Sequence, residues 1–215
     1  MKPFRSAVVD VDSTISAIEG IDWLASRRGN DVARAVTALT NDAMEARVPL
    51  DAVYDRRLAL IRPTRAELAD LARQYITTAV PGVREAMSIW RQAGVHIVLV
   101  SGGLRDALLP LASWLGIDAG DVHAVDVTYE NDAAVRARPG ALLARRGGKP
   151  QLVQSLMLPR PILAAGDGAT DAELAAVVER FIAFTGVVRR EAVVAAAASE
   201  VHSFALLTPI VLGAQ

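Results

Sequence analysis

Beyond Pro81 and Gly82, short apolar runs alternate with stretches of helical spacing, and this alternation restricts the fold more than any other feature of the chain. Val83, Ala86, Met87 and Trp90 mark a helix stopped by Gly94, and "VHIVLV" reads as a strand. Leu104, Leu108, Leu111 and Leu115 then mark a second helix, stopped by Gly116. "PILAAGD" and "FIAFT" are two more short apolar strands, each followed by a helical stretch. "VHSF" is a weaker strand candidate, and the Ala-rich "AVVAAAASE" reads as helix. Strands that alternate with helices build a parallel sheet covered on both faces, so the expected class is α/β with a Rossmann-like sheet.

The first strand, residues 6 to 12, belongs to that sheet by character, but the chain after it changes pattern. Ile18, Ile21 and Leu24, then Val32, Val36, Leu39 and Ala43, keep helical spacing, as do Val53, Tyr54, Leu58 and Ile61. "TRAE" at Thr64 to Glu67 is a capping box that opens a helix carrying Leu68, Leu71, Ala72 and Tyr75. The expectation is a core of residues 1–15 and 80–215 with a helical cap, residues 16–79, inserted after the first strand. An insertion joined to the core only near residues 15 and 80 has the geometry of a hinged lid.

Composition narrows the function classes. The 215 residues suit one domain with an insertion, and 52% apolar against 5% aromatic means a core of aliphatic side chains. With 23 basic and 24 acidic residues there is no electrostatic footprint for nucleic acid or anionic lipid, and the aromatics are too few for a base-stacking surface. The absence of cysteine excludes disulfides, thiolate catalysis and cysteine-ligated metals. The amino-terminal apolar run stops at Asp10, too early for a signal peptide, and no later run approaches a membrane span. These features predict an untargeted, cytoplasmic protein. His96, His123 and His202 have no metal-ligand spacing and read as packing residues.

In an open parallel sheet, ligands bind beyond the carboxyl ends of the strands. Three of these ends are polar: "DVDST" after the first strand, "SGG" at Ser101 to Gly103, and "GDGATD" at Gly166 to Asp171. Each alone is an ordinary turn or cap sequence; together they gather carboxylates, hydroxyls and glycines around one cavity. Magnesium takes oxygen ligands, and Asp10, Asp167 and the carbonyl of Asp12 can supply them. Ser101 with the amides of Gly102 and Gly103, read as a helix start, forms a positive concavity for phosphate oxygens. Lys149 is one of only two lysines in a chain that otherwise uses arginine, so it either survived by chance or marks a site that wants a compact ammonium. An acid pair facing a cation that faces a phosphate accounts for these residues.

Taken in order, "DVDST", "SGG", Lys149 and "GDGATD" resemble the four motifs of the haloacid dehalogenase superfamily of phosphohydrolases. The segments "EGIDWLA", "AMEARVPL" and "RRLALIRP" resemble the helical cap of the phosphoserine phosphatase family within it, and the likeness runs to about residue 190. The resemblance implies a magnesium-dependent phosphomonoesterase acting on O-phospho-L-serine, the last step of serine biosynthesis. It implies that Asp10 is the nucleophile, forming an aspartyl-phosphate, and that Asp12 is the acid and then the base. It implies magnesium on Asp10, the Asp12 carbonyl and Asp167 with Asp171 orienting them, and the phosphoryl group on Ser101, Gly102, Gly103 and Lys149. In the cap, Glu19 would meet the substrate ammonium and Arg57 its carboxylate, with Met44 and Thr170 lining the pocket. The chain departs from the family pattern at Ala46, where glycine is frequent, and at Leu50, where phenylalanine is.

Other readings of the same residues are a phosphotransferase, or a phosphatase for a neighbouring phosphomonoester, since water and an alcohol compete for one aspartyl-phosphate. A phospho-accepting receiver domain would need adjacent acids on the first strand and no helical insertion. Without the resemblance, Glu19 reads as a solvated helix residue and Arg57 as a partner of Asp55 or a neighbouring acid.

Overall fold

The computed structural model describes residues 3–44 and 50–214, without the side chains of residues 41–44 and 50–52. The chain enters as β1 (Ser6–Val9) and passes through helices α1 (Gly20–Ser26), α2 (Asn30–Met44), α3 (Leu50–Ile61) and α4 (Arg65–Thr77). It continues through α5 (Val83–Gln92), β2 (His96–Leu104), α6 (Arg105–Leu115) and β3 (Val122–Val125) into a hairpin of β4 (Val127–Glu130) and β5 (Ala133–Ala137). Then come α7 (Gly148–Ser155), β6 (Ile162–Gly166), α8 (Ala169–Ala172), β7 (Arg180–Phe184), α9 (Glu191–Ala196), β8 (Ser199–Val201) and α10 (Phe204–Val211).

Among the described residues the main sheet has six strands in the order β3-β2-β1-β6-β7-β8. Every pairing within it is parallel. The expected α/β class with a Rossmann-like parallel sheet is therefore the observed one. Successive residues of a strand point to opposite faces, and both faces are buried. Ala7, Val9, Leu99, Leu163 and Ile182 face one apolar layer with Trp90, Leu108 and Phe204, while Val8, Val98, Ala164 and Phe181 face another with Val153 and Val193. Strand order reverses at β1, where the chain fills one side of the sheet before crossing to the other, and that point is where such sheets open a crevice. The register pairs Val9 with both Leu99 and Ala165, so β1, β2 and β6 deliver their carboxyl ends side by side.

The chain leaves and re-enters the sheet through two adjacent strands of linker. Ser16 pairs antiparallel with Ala79, the Ala17 amide donates to the Thr78 carbonyl at 2.9 Å, and the Val80 amide donates to the Ile15 carbonyl at 2.8 Å. The four-helix stretch touches the rest of the molecule away from this joint too. The β4-β5 hairpin, which the sequence reading missed, braces α3 and α4. The Ala137 amide donates to Asp55 Oδ1 at 2.8 Å, the Ala134 amide to the Pro63 carbonyl at 2.8 Å, and Arg65 lies 3.7 Å over the Tyr129 ring. Asp55 is thus engaged by the hairpin and is not the partner of Arg57.

Four local expectations are corrected. The strand at "VHIVLV" runs on through Ser101, Gly102 and Gly103 to Leu104, with a register shift after Val100, and the helix starts only at Arg105. In "VHSF" only Val201 is strand, because Ser203 caps α10 by accepting the Leu206 amide. The helix in "AVVAAAASE" stops at Ala196, and Ser199 and Glu200 pair with β7. His96 is not a packing residue: its ring bonds Asp121 at 2.7 Å at the amino-terminal end of β2.

Candidate active site

Asp10 comes directly after β1, and its amide still donates to the Ala165 carbonyl at 3.0 Å, so its position is fixed by the sheet. The chain then turns at once. The Val11 carbonyl accepts the amides of Thr14, Ile15 and Ser16, and Ser13 adopts a positive φ of 54°. Val11 is buried away from the crevice while Asp10 and Asp12, two residues apart, both line it. Both carboxylates are thus presented to one side as the chain leaves the strand.

Lys149, at the start of α7, reaches the same place. Its Nζ lies 2.6 Å from Asp10 Oδ1 and 2.6 Å from Asp171 Oδ1, and all three side chains are buried. The second oxygen of Asp171 accepts the Gly168 amide at 2.9 Å, which ties it to the first turn of α8. Asp167 Oδ1 accepts the Thr14 hydroxyl at 3.1 Å. Carboxylate oxygens of Asp10, Asp167 and Asp171 lie within 4.8 Å of one another.

The electrostatics of this cluster result from burial. Desolvation and then the charge of Asp171 push the Asp10 carboxyl well above the usual range, and Lys149 pulls only partly the other way. Burial works against the Lys149 ammonium, but Asp10 and Asp171 outweigh it and hold its proton more firmly than usual. Lys149 thus faces two buried carboxylates, while the third, Asp167, is paired with Arg190. Hard oxygen donors so close together suit a hard divalent cation, and magnesium fits this donor set.

The "SGG" segment closes the opposite wall. The Ser101 hydroxyl is 3.1 Å from Asp12 Oδ2 and accepts the Gly103 amide at 2.9 Å, while the Gly102 carbonyl accepts the Tyr54 hydroxyl at 3.0 Å. Gly102 and Gly103 line the cavity, of about 110 Å³, together with Asp10, Asp12, Lys149, Asp167, Thr170 and Asp171. Ser101 is fully buried behind that wall.

Glu19 and Arg57 line the same cavity from α1 and α3. Glu19 accepts the Ser13 hydroxyl at 2.7 Å, and desolvation followed by the charge of Asp12 pushes its carboxyl up to about 7. Its side chain is 44% exposed, so it stands at the mouth. Arg57 donates to Thr40 Oγ1 at 3.2 Å and lies 5.3 Å over the Tyr54 ring, while its Nε is buried with no partner among the described residues. A guanidinium whose buried Nε lacks a partner, on a residue lining a cavity, is suited to take an anion. The side chain of Met44, like Ala46 and the side chain of Leu50, lies outside the described residues.

Arg190, at the start of α9, was not foreseen. It pairs with Asp167 Oδ2, donates to the Asp167 carbonyl at 3.2 Å and comes within 3.8 Å of Glu19, so it links the metal-type acids to the mouth. The signal was present: it lies in the loop after "FIAFT", at the same carboxyl edge as the other three polar ends.

The family model for haloacid dehalogenase-like hydrolases matches residues 7–176. Among curated relatives, the phosphoserine phosphatase of Homo sapiens is 37% identical over 188 residues, 86% of this chain and 83% of its own length. That of Bos taurus is 36% identical over the same shares. The chloroplastic phosphoserine phosphatase of Arabidopsis thaliana is 33% identical, over 86% of this chain and 64% of its own. A solved phosphoserine phosphohydrolase-like protein from Francisella tularensis superposes with a TM-score of 0.85 at 21% identity, covering 98% of this chain and 100% of that one. A phospho-aspartyl intermediate analogue of a phosphoserine phosphatase does so at 0.80 and 21%, covering 98% of each; at such identities these two bear on the fold alone.

Proposed function

The chain belongs to the haloacid dehalogenase-like hydrolases and, within them, to the phosphoserine phosphatases, and we propose accordingly that it hydrolyses O-phospho-L-serine to L-serine and phosphate. One observation carries this reading: a single cavity is lined by Asp10 and Lys149 together with the carboxylate of Glu19 and the guanidinium of Arg57, whose Nε has no partner among the described residues. A phosphomonoester that is also an amino acid matches that pattern of charge.

In the proposed mechanism Asp10 attacks phosphorus in line and forms an aspartyl-phosphate, while Asp12 gives its proton to the leaving serine oxygen. Asp12 then takes a proton from the water that opens the phosphoenzyme, returning to its starting state. Lys149 and the amide of Gly102 offset the charge of the transferring group beside Gly103, and Ser101 holds Asp12 until substrate arrives. Asp10, Asp167 and the Asp12 carbonyl would hold magnesium, oriented by Asp171; the cation supplies positive charge beside the phosphoryl oxygens. Glu19 takes the substrate ammonium and Arg57 its carboxylate, with Thr170 beside them and Met44 read from resemblance alone. Residues 16–79 act as the cap over a core of residues 1–15 and 80–215.

The reading carries a cytoplasmic setting and a place at the last step of serine biosynthesis. None of the described helices is long and apolar enough to cross a membrane. A phosphate-release screen with magnesium, comparing phosphoserine with phosphothreonine and sugar phosphates, tests the assignment. Phosphoserine should be preferred, and a preference for a sugar phosphate would overturn it.

A further inference from the structure

Asp12 is held by an element that belongs to none of the four motifs. Tyr75, in the last turn of α4, is fully buried, and its hydroxyl donates to Asp12 Oδ1 at 2.8 Å. The same oxygen accepts the Gly20 amide at 2.6 Å. The slot for the hydroxyl is made by two glycines. A Cβ on Gly20 would sit 1.9 Å from the Tyr75 oxygen, and one on Gly103 would sit 3.3 Å from it and 3.1 Å from Asp12 Oδ2. Gly20 and Gly103 thus leave room for a phenol at this spot, from α1 on one side and the end of β2 on the other.

On the premise of phosphoserine hydrolysis, we propose that Tyr75 is the positioning residue for Asp12, directing its transferable proton to Oδ2. An amide can only donate, and the phenol donates here, so both acceptor sites of Oδ1 are taken. A proton on the carboxyl is then carried by Oδ2, the oxygen beside Ser101 and Gly103 on the phosphoryl side of the cavity. From there it passes to the leaving oxygen as the oxygen–phosphorus bond breaks, leaving a carboxylate whose Oδ1 is still held. The attacking water returns a proton to Oδ2. Tyr75 lies three residues before Thr78, whose carbonyl and hydroxyl bind the outgoing linker at Ala17 and Ser16. The acid/base is therefore oriented when α4 is seated against the sheet, which ties the position of the helical insertion to proton transfer.

The test is Tyr75→Phe, which keeps the ring and removes only the hydroxyl. First-turnover alcohol release is measured with phosphoserine, whose serine oxygen needs a proton to leave, and with 4-nitrophenyl phosphate, whose phenolate leaves without one. The expected result is a fall on the order of tenfold in the first-turnover rate constant for phosphoserine, with the half-saturating concentration little changed and a much smaller fall for the aryl ester. Gly20→Ala, which drives a methyl into the hydroxyl, should reproduce the split. Equal losses on both substrates would overturn the inference, since misfolding or a displaced helix slows both alike, and so would no loss on either. Wild-type protein that releases alcohol from neither substrate would overturn the functional reading itself, a result distinct from these two.

Discussion

Replacing Lys149 with Met separates what this residue does for the fold from what it does for the chemistry. Its Nζ makes two contacts of 2.6 Å, to Asp10 and to Asp171, and the side chain is only 6% exposed. A hydrogen bond to a charged group contributes about 1.5–3 kcal/mol, and removing one partner of a buried ion pair costs about 3–5 kcal/mol. The variant should therefore lose about 3–5 kcal/mol, a large part of the roughly 5–15 kcal/mol that holds a domain together. Denaturant melts must be run with a chelator, since a cation bound to the three carboxylates would stabilise the folded state by mass action. Without the ammonium, the already raised Asp10 carboxyl climbs further and becomes a poorer nucleophile at neutral pH. Turnover should fall at least ~10²-fold, as for other preorganised charge stabilisers. Adding Asp171→Asn removes one of the stranded charges, so part of the stability should return while turnover does not. A cost under about 1 kcal/mol would refute the idea that this trio is balanced by burial and charge, as would turnover recovered along with stability.

Three further outcomes rest on the same geometry. Glu19→Gln and Arg57→Ala should each cut kcat/KM for phosphoserine by about 2–4 kcal/mol in transition-state terms and spare an aryl phosphate; equal losses would assign them to the fold. The Glu19 carboxyl sits at about 7 and is charged above that value, so kcat/KM for phosphoserine should decline as pH falls through it. Glu19→Gln should flatten that limb, and an unchanged pH profile would count against its role. Glu67→Gln should cost about 1–2 kcal/mol, because Glu67 completes the capping box of α4 and takes both Arg28 nitrogens. The Arg28 hydrogen bonds hold the Glu67 carboxyl down at about 2, against 4.5 ordinarily. Its contribution is thus complete above 4.5 and lost as pH falls toward 2, so melts of wild type and variant should converge over that range; a gap that widens on acidification would contradict the assignment.

Much of the site could be read in the sequence because its parts are local. Asp10 and Asp12 flank a buried valine at the end of a strand, and the chain presents both to one side as it leaves that strand. Lys149 stood out by rarity, and the Asp167 to Asp171 segment by its place after a strand. The parts that escaped are those whose meaning is set by distant chain. Arg190 is one arginine among many until β7 carries it to Asp167, and Tyr75 reads as a core position on an apolar face until α4 presses its hydroxyl against Gly20. The β4-β5 hairpin escaped because its turn, Asn131 and Asp132 at positive φ, lacks the usual Asn-Gly pair. Gly102 and Gly103 read as a helix start where the backbone in fact continues as strand.

The central claim is that Asp10 carries the phosphoryl group. Protein mixed with phosphoserine and magnesium, quenched in acid within one turnover and digested, should yield the peptide containing Asp10 with one added phosphoryl group. Asp10→Asn should yield none. A phosphoryl group on another residue, or steady hydrolysis by Asp10→Asn at a rate near that of the wild type, would contradict the account.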